Sequence, residues 1–360
     1  MALIPTARGD TIDAKDAGFS LMTECILGPG WAEIERNWPD FTIKRWPEEE
    51  LLEMAAGKLK VAYDHGVRTI LDRVIPGETG RDPRRLKRLA LKTPVNIIMG
   101  TGWYTWHYLP YFFAAAEQDT WIRDTSEMSA DEIYFMEHSK KLAKASKWPT
   151  LEQLMLRDIE VGVIDTGIRA GFIKIVTDVP GLTPDVTKVI KTAAKVHRKT
   201  GVFITTHTGI GVGVAHGALQ QGLLAECGVD LTRVILGHLD WTPPEVPIEE
   251  FVKLADKGSM LSFDTLHLAY QYPERWRAKR IERVVELCKR GYVEQVLISH
   301  DDSCHHDVQP EPPRLFPTYC EVTLDLIPKL MAAGLSQKQI DQITIGNPRR
   351  MWESNGKGGY

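Results

Sequence analysis

Short apolar runs rich in Val and Ile alternate along almost the whole chain with stretches whose apolar residues recur at helical spacing. The runs fall at 18–24, 67–74, 95–102, 170–178, 201–207, 233–239, 260–265 and 294–301, and most are continuous. Strands of a parallel sheet need continuous runs because both of their faces are covered. Between them, Pro47 to Asp64, Pro184 to Lys199 and Trp276 to Arg290 read as amphipathic helices, and Pro317 to Ala333 as the eighth. Eight strands with right-handed helical crossovers predict an α/β protein, a single (β/α)8 TIM barrel spanning residues 1–360. Residues 1–17 form an N-terminal extension, Leu335 to Ile345 adds one more helix, and the glycine-rich tail at 352–360 is expected to fray.

Composition narrows the classes. A chain of 360 residues that is 43% hydrophobic suits one barrel with insertions. The net charge of −4, with no block of Lys or Arg, argues against nucleic acid and anionic membrane as partners. No stretch resembles a signal peptide or approaches the roughly 20 apolar residues of a membrane span, so a cytoplasmic protein is expected. The five cysteines contain no Cys-x-x-Cys, which excludes a zinc ribbon and disfavours a disulfide framework. G-I-G-V-G-V at 209–214 lacks the spacing of a dinucleotide fingerprint, so no bound flavin or nicotinamide is expected.

The chemistry gathers at strand ends. Lys174 closes A-G-F-I-K, His207 closes V-F-I-T-T-H, His238 closes R-V-I-L-G-H, and Asp301 closes V-L-I-S-H-D. In a barrel these ends converge on the face that carries active sites. Two imidazoles on neighbouring strands with a carboxylate on the last point to a bound metal. Asp301 also reads as a helix cap, a role that Asp302 next to it can take instead. A buried lysine is costly when charged. Lys174 is therefore either neutral and open to carbamylation, or paired with Asp178 or another carboxylate. Two loops are long: one from Trp103 to about Phe113, and one from Asp302 to Pro317. The first carries W-Y-T-W-H-Y, whose Trp103, Tyr104 and Trp106 either wall an apolar substrate pocket or pack a helix on the barrel. Tyr270, Tyr272 and Trp276 extend the same choice.

Several motifs carry a resemblance: G-F-S-L at 18–21, G-V-R-T-I-L-D at 66–72, G-R-D-P at 80–83 and G-T-G-W-Y at 100–104. It continues through A-G-F-I-K at 170–174, T-H-T at 206–208, G-H-L at 237–239, I-S-H-D at 298–301 and N-P-R-R at 347–350. Over nearly its whole length the chain resembles the phosphotriesterase family of the amidohydrolase superfamily, and its lactonase branch most. The resemblance implies a carbamylated Lys174 bridging two metals, His207 and His238 on one of them, Asp301 on the other, Tyr104 lining the site, and a homodimer. Thr23 and Cys25 stand where that family has the two first-strand histidines of the second metal, and Thr265 where the lactonase branch keeps an arginine. Candidate replacement ligands are Glu24, if its strand is bulged, and His305, if the chain turns helically after Asp301. His306 and Cys25 are further candidates, with Asp307 as a partner that orients an imidazole.

The broken hydrolytic pattern makes a different chemistry the leading expectation. A branch of amidohydrolase-like barrels, the one that hydroxylates the diterpenoid precursor of platensimycin and platencin, activates oxygen at two non-haem irons and acts largely on coenzyme A thioesters. By that resemblance the chain is a di-iron monooxygenase of a bulky apolar small molecule, drawing electrons from an external donor. Its ligands are His207, His238, Asp301 and one of Glu24 or His305, with Lys174 as a bridge or base. The alternative is a hydrolase of esters, lactones or phosphotriesters on one or two divalent ions such as zinc, with Asp301 accepting the proton. A ligand-binding barrel without catalysis is the third reading.

Overall fold

In a computed structural model describing residues 2–28, 46–77, 81–105, 109, 126, 128–145, 149–265, 274–307, 311 and 313–360, every apolar run contains a strand. The chain opens with a hairpin of β1 (Leu3–Pro5) and β2 (Thr11–Asp13). Then come β3 (Ser20–Gly28), β4 (Thr69–Asp72), β5 (Asn96–Gly102), β6 (Phe172–Thr177), β7 (Ile204–Thr208), β8 (Val234–Leu236), β9 (Met260–Phe263) and β10 (Val296–Ile298). β11 (Ser303–His306) follows directly and pairs with β3. The sheet runs β10-β9-β8-β7-β6-β5-β4-β3-β11, and all its pairs are parallel. It curls into the expected barrel.

Helices at Glu48–Asp64, Pro184–Thr200 and Glu274–Lys289 lie where the apolar periodicity puts them. The eighth begins in a π-helical turn, Val322–Leu326, and continues as Ile327–Ala332. Two of the resembling motifs serve the scaffold. Asp82 of G-R-D-P accepts from Arg85 N at 2.9 Å and caps the helix Pro83–Ala90, with Pro83 in its first turn. Asn347 of N-P-R-R donates to the carbonyls of Val293 and Val296, at 2.8 and 2.7 Å, just before β10.

The barrel closes between β3 and the end of β10. Asp301 N donates to Thr23 O at 3.0 Å and Cys25 N to Asp302 O at 2.8 Å. Glu24, fully buried, fastens this seam. Its Oε1 accepts from Ser299 Oγ (2.7 Å), His300 N (2.9 Å) and His300 Nδ1 (2.8 Å), and its Oε2 from Asp302 N (2.8 Å). His300 Nε2 accepts from Val322 N at 2.9 Å, which fixes the ring's proton on Nδ1.

The lumen end opposite the strand C-termini is plugged by Phe172, Phe203, Met22, Met260 and Leu297, together with Ile4 from the hairpin and Trp352 from the last helix. The N-terminal extension is therefore part of the core. The C-terminal tail is not frayed. Tyr360 Oη bonds His197 Nε2 and accepts from Asp230 N at 3.1 Å, while Arg233 Nη1 donates to Lys357 O at 3.0 Å. A cluster of donors from the barrel bottom captures the glycine-rich segment and outweighs its freedom.

Two outcomes follow from this packing. Glu24→Ala strands three backbone or ring donors at the seam, so it lowers the free energy of unfolding by roughly 3 kcal/mol or more in urea titrations. His197 is held below its ordinary value by burial. The unfolded chain takes up that proton below about pH 6.5 while the folded chain resists it, so stability falls as pH falls through that value. Urea midpoints measured at several pH values show the decline, and His197→Gln makes it shallower.

Candidate metal centre

The mouth of the barrel has two sides. On one, His207 at the end of β7 and His238 just past β8 stack edge to face, ring centroids 4.7 Å apart. Gly237 precedes His238 because the backbones approach there: a Cβ on it would lie 2.3 Å from Thr206 O. His238 itself sits at φ 57°, a left-handed conformation uncommon outside glycine. Both its N and its Nδ1 donate to Asp264 Oδ1, at 2.9 and 2.7 Å. That carboxylate puts the ring's proton on Nδ1 and leaves a lone pair on Nε2. His238 Nε2 is buried and finds no hydrogen-bond partner among the described residues.

His207 approaches Asp178 through Nε2 at 3.4 Å, and Gln220 Nε2 donates to its carbonyl at 2.6 Å. Burial pushes the His207 imidazole down to about 3, so the ring is neutral at ordinary pH. The hydrogen bond to His207 holds the Asp178 carboxyl below its usual range. Lys174, 1% exposed on β6, donates from Nζ to Thr206 O at 2.8 Å, and Asp178 is engaged with His207.

Aromatic rings enclose the imidazoles. Tyr104 packs edge-on to His207 at 5.6 Å, and Trp241 lies 5.5 Å from His207 and 4.7 Å from His238. The buried indole N–H of Trp241 has no acceptor among the described residues. Trp103 is half-buried against the outer core. Trp106, Tyr108, Tyr270 and Tyr272 lie outside the described residues.

The other side of the mouth is built around Asp301. It too has left-handed backbone, φ 58°. Its Oδ1 accepts from Arg73 Nε, an ion pair with little exposure on either partner. Arg73 follows β4, and its backbone N–H donates to Glu24 O at 2.7 Å, which ties it to the first strand.

Four residues weighed for the mouth have other partners. Glu24 gives both oxygens to the seam described above, so it is no replacement ligand as placed. His305 does not share a helical face with Asp301, because the segment after Asp301 is strand β11. Four residues of extended chain span roughly 13 Å. His305 instead lies buried with Nε2 3.2 Å from Asp307 Oδ1. Asp302 caps no helix; Arg314 Nη2 donates to it at 2.8 Å. Thr265 is fully buried and donates from Oγ1 to Asp240 Oδ2 at 2.8 Å. Arg280 Nε lies 2.7 Å from the same oxygen, so Thr265 faces an internal ion pair.

Among the described residues, no three His, Cys, Asp or Glu side chains stand together as a ready metal cage. The donors present fit one ion in part: two neutral imidazoles, one with an unsatisfied lone pair, in a dry aromatic surround beside Lys174. They do not fit a second ion at Asp301, whose oxygen already meets a guanidinium. Asp264, Trp241 and Arg73 were not singled out as site residues in the sequence. Asp264 directly follows β9, Trp241 is third after His238, and Arg73 directly follows β4, so each carried a positional signal.

The sequence profile described as "Phosphotriesterase family" matches residues 3–135 and 125–352. The phosphotriesterase homology protein of Mycobacterium tuberculosis is 33% identical over 368 residues, covering 100% of each chain. The aryldialkylphosphatase of Saccharolobus solfataricus is 33% identical over 359 residues, covering 97% of this chain and 99% of its own. The solved structure of the phosphotriesterase from Mycobacterium tuberculosis superposes with a TM-score of 0.80 at 32% identity, covering 99% of this chain and 100% of that one. No helix among the described residues is long and apolar enough to cross a membrane. With the family profile matched along nearly the whole sequence, a relative 33% identical from end to end and the same barrel, the chain belongs to the phosphotriesterase family.

Proposed function

We propose that this protein is a metal-dependent hydrolase that opens an ester, lactone or phosphotriester bond in a small, largely apolar molecule, using a divalent ion held by His207 and His238. The observation that carries the reading is His238 Nε2, a buried nitrogen whose proton has been steered to the other side of the ring by Asp264 and which has no hydrogen-bond partner among the described residues. A buried polar atom left unsatisfied costs about 1–3 kcal/mol, which a metal ligand bond offsets. When bound, such an ion polarises the scissile group and makes a water nucleophilic near neutral pH.

The chain's own residues prepare that chemistry. Asp264 fixes the tautomer and orientation of His238, and Asp178 does so for His207. Tyr104 and Trp241 exclude water from the imidazoles and offer apolar walls to the substrate. The Trp241 N–H, without an acceptor among the described residues, can donate to a substrate oxygen. Family resemblance assigns Lys174 a carbamate; its Nζ lies within the same buried cluster, on the carbonyl of Thr206.

The di-iron monooxygenase reading loses its support. The relatives reported above carry hydrolase names, and the two residues meant to rebuild an iron site, Glu24 and His305, are turned to other partners. Imidazole suits zinc, manganese and iron alike, so the ion is specified here only as divalent.

The expected behaviour is cleavage of aryl esters, lactones or dialkyl aryl phosphates without dioxygen, abolished by a chelator and restored by a divalent metal. Consumption of dioxygen tied to substrate, with no anaerobic turnover, would reverse the assignment. Asp264→Asn weakens metal binding by about 10- to 100-fold while the fold is retained, read by competition with a chromophoric chelator. An unchanged affinity would mean that His238 is not a ligand.

A further inference from the structure

Asp301 raises a question that the hydrolase reading leaves open. Its carboxylate is buried at the barrel mouth, 6% exposed, and a buried carboxylate needs a cation or several donors beside it. Family resemblance would supply a second metal ion, held by Asp301 and a pair of first-strand histidines. Here the pair is Thr23 and Cys25. Thr23 is fully buried and turns its hydroxyl back to Met22 O at 2.8 Å. Cys25, 1% exposed, is packed in the core.

The cation that does reach Asp301 is a side chain. Arg73 leaves the end of β4, is tethered by its N–H to Glu24 O at 2.7 Å, and places Nε on Asp301 Oδ1. The tether lies between the two positions that lack histidine. A guanidinium is permanently charged, and at a few ångströms in a poorly hydrated mouth it repels a divalent ion strongly. Resting on the assignment of His207 and His238 as metal ligands, we propose that Arg73 stands in for the second metal ion. The protein then binds a single divalent ion per chain, and the guanidinium neutralises Asp301 on the side that the family's other ion would occupy.

Zinc content by elemental mass spectrometry, on full-length protein saturated with zinc and then desalted, tests this. One ion per chain is expected for the natural protein, and also for Thr23→His/Cys25→His, because Arg73 still holds Asp301. Adding Arg73→Ala to that double variant is expected to raise the count to two. Two ions on the natural protein or on the double variant overturn the inference and leave the hydrolase reading standing. A folded triple variant still at one ion overturns it as well. No zinc on any form overturns the hydrolase reading together with the inference.

Thermal melting gives a second readout if the triple variant does not fold. Arg73→Met is expected to lower the melting temperature, and Arg73→Met/Asp301→Asn to recover most of the loss. An Arg73→Met protein as stable as the natural one would show that Asp301 needs no guanidinium.

Discussion

A carboxylate buried at the mouth of a barrel has to meet positive charge, and the identity of that charge decides what the mouth can hold. Here Arg73 reaches Asp301, and the strand-end residues divide in consequence. Lys174, His207 and His238 gather on one side with Asp178, Asp264 and two aromatic rings. Asp301, Thr23 and Cys25 lie on the other, with no imidazole from the first strand. With no histidine at Thr23 or Cys25, the positive charge beside Asp301 is the side chain of Arg73.

That division is held by the scaffold. Glu24 ties the first strand to the end of the last through four accepted hydrogen bonds, and the same strand's carbonyl tethers Arg73. Across the mouth, Gly237 lets two backbones approach closely enough for His238 to take its left-handed conformation over Asp264. Both His238 and Asp301 occupy backbone conformations that branched or bulky residues avoid, a cost accepted where side-chain direction matters for function. At the opposite end Ile4 of the hairpin and Trp352 fill the lumen, and the tail is anchored on Asp230.

Most of the barrel was legible in the sequence, because a strand covered on both faces must be continuously apolar and eight such runs leave few topologies. The strand-end histidines were legible for the same reason, since the run's last residue points to the mouth. What escaped depends on contacts between distant segments. Arg73 and Asp301 are 228 residues apart, and nothing local in either sequence says that they meet. Glu24 reads as a spare carboxylate until its four donors are seen, all from beyond residue 298. His305 stands four residues after Asp301, a helical spacing, yet S-C-H-H continues the sheet as β11. The tail's glycine content reports only local freedom, and the partners that bind Tyr360 lie far off in the chain.

The mouth is proposed to hold a metal on one side, with an arginine on the other. Anomalous diffraction at the zinc edge from crystals grown with zinc locates each ion directly. A single peak per chain is expected, on the imidazoles of His207 and His238, with Arg73 still on Asp301. A second peak beside Asp301, with the guanidinium displaced, would contradict it.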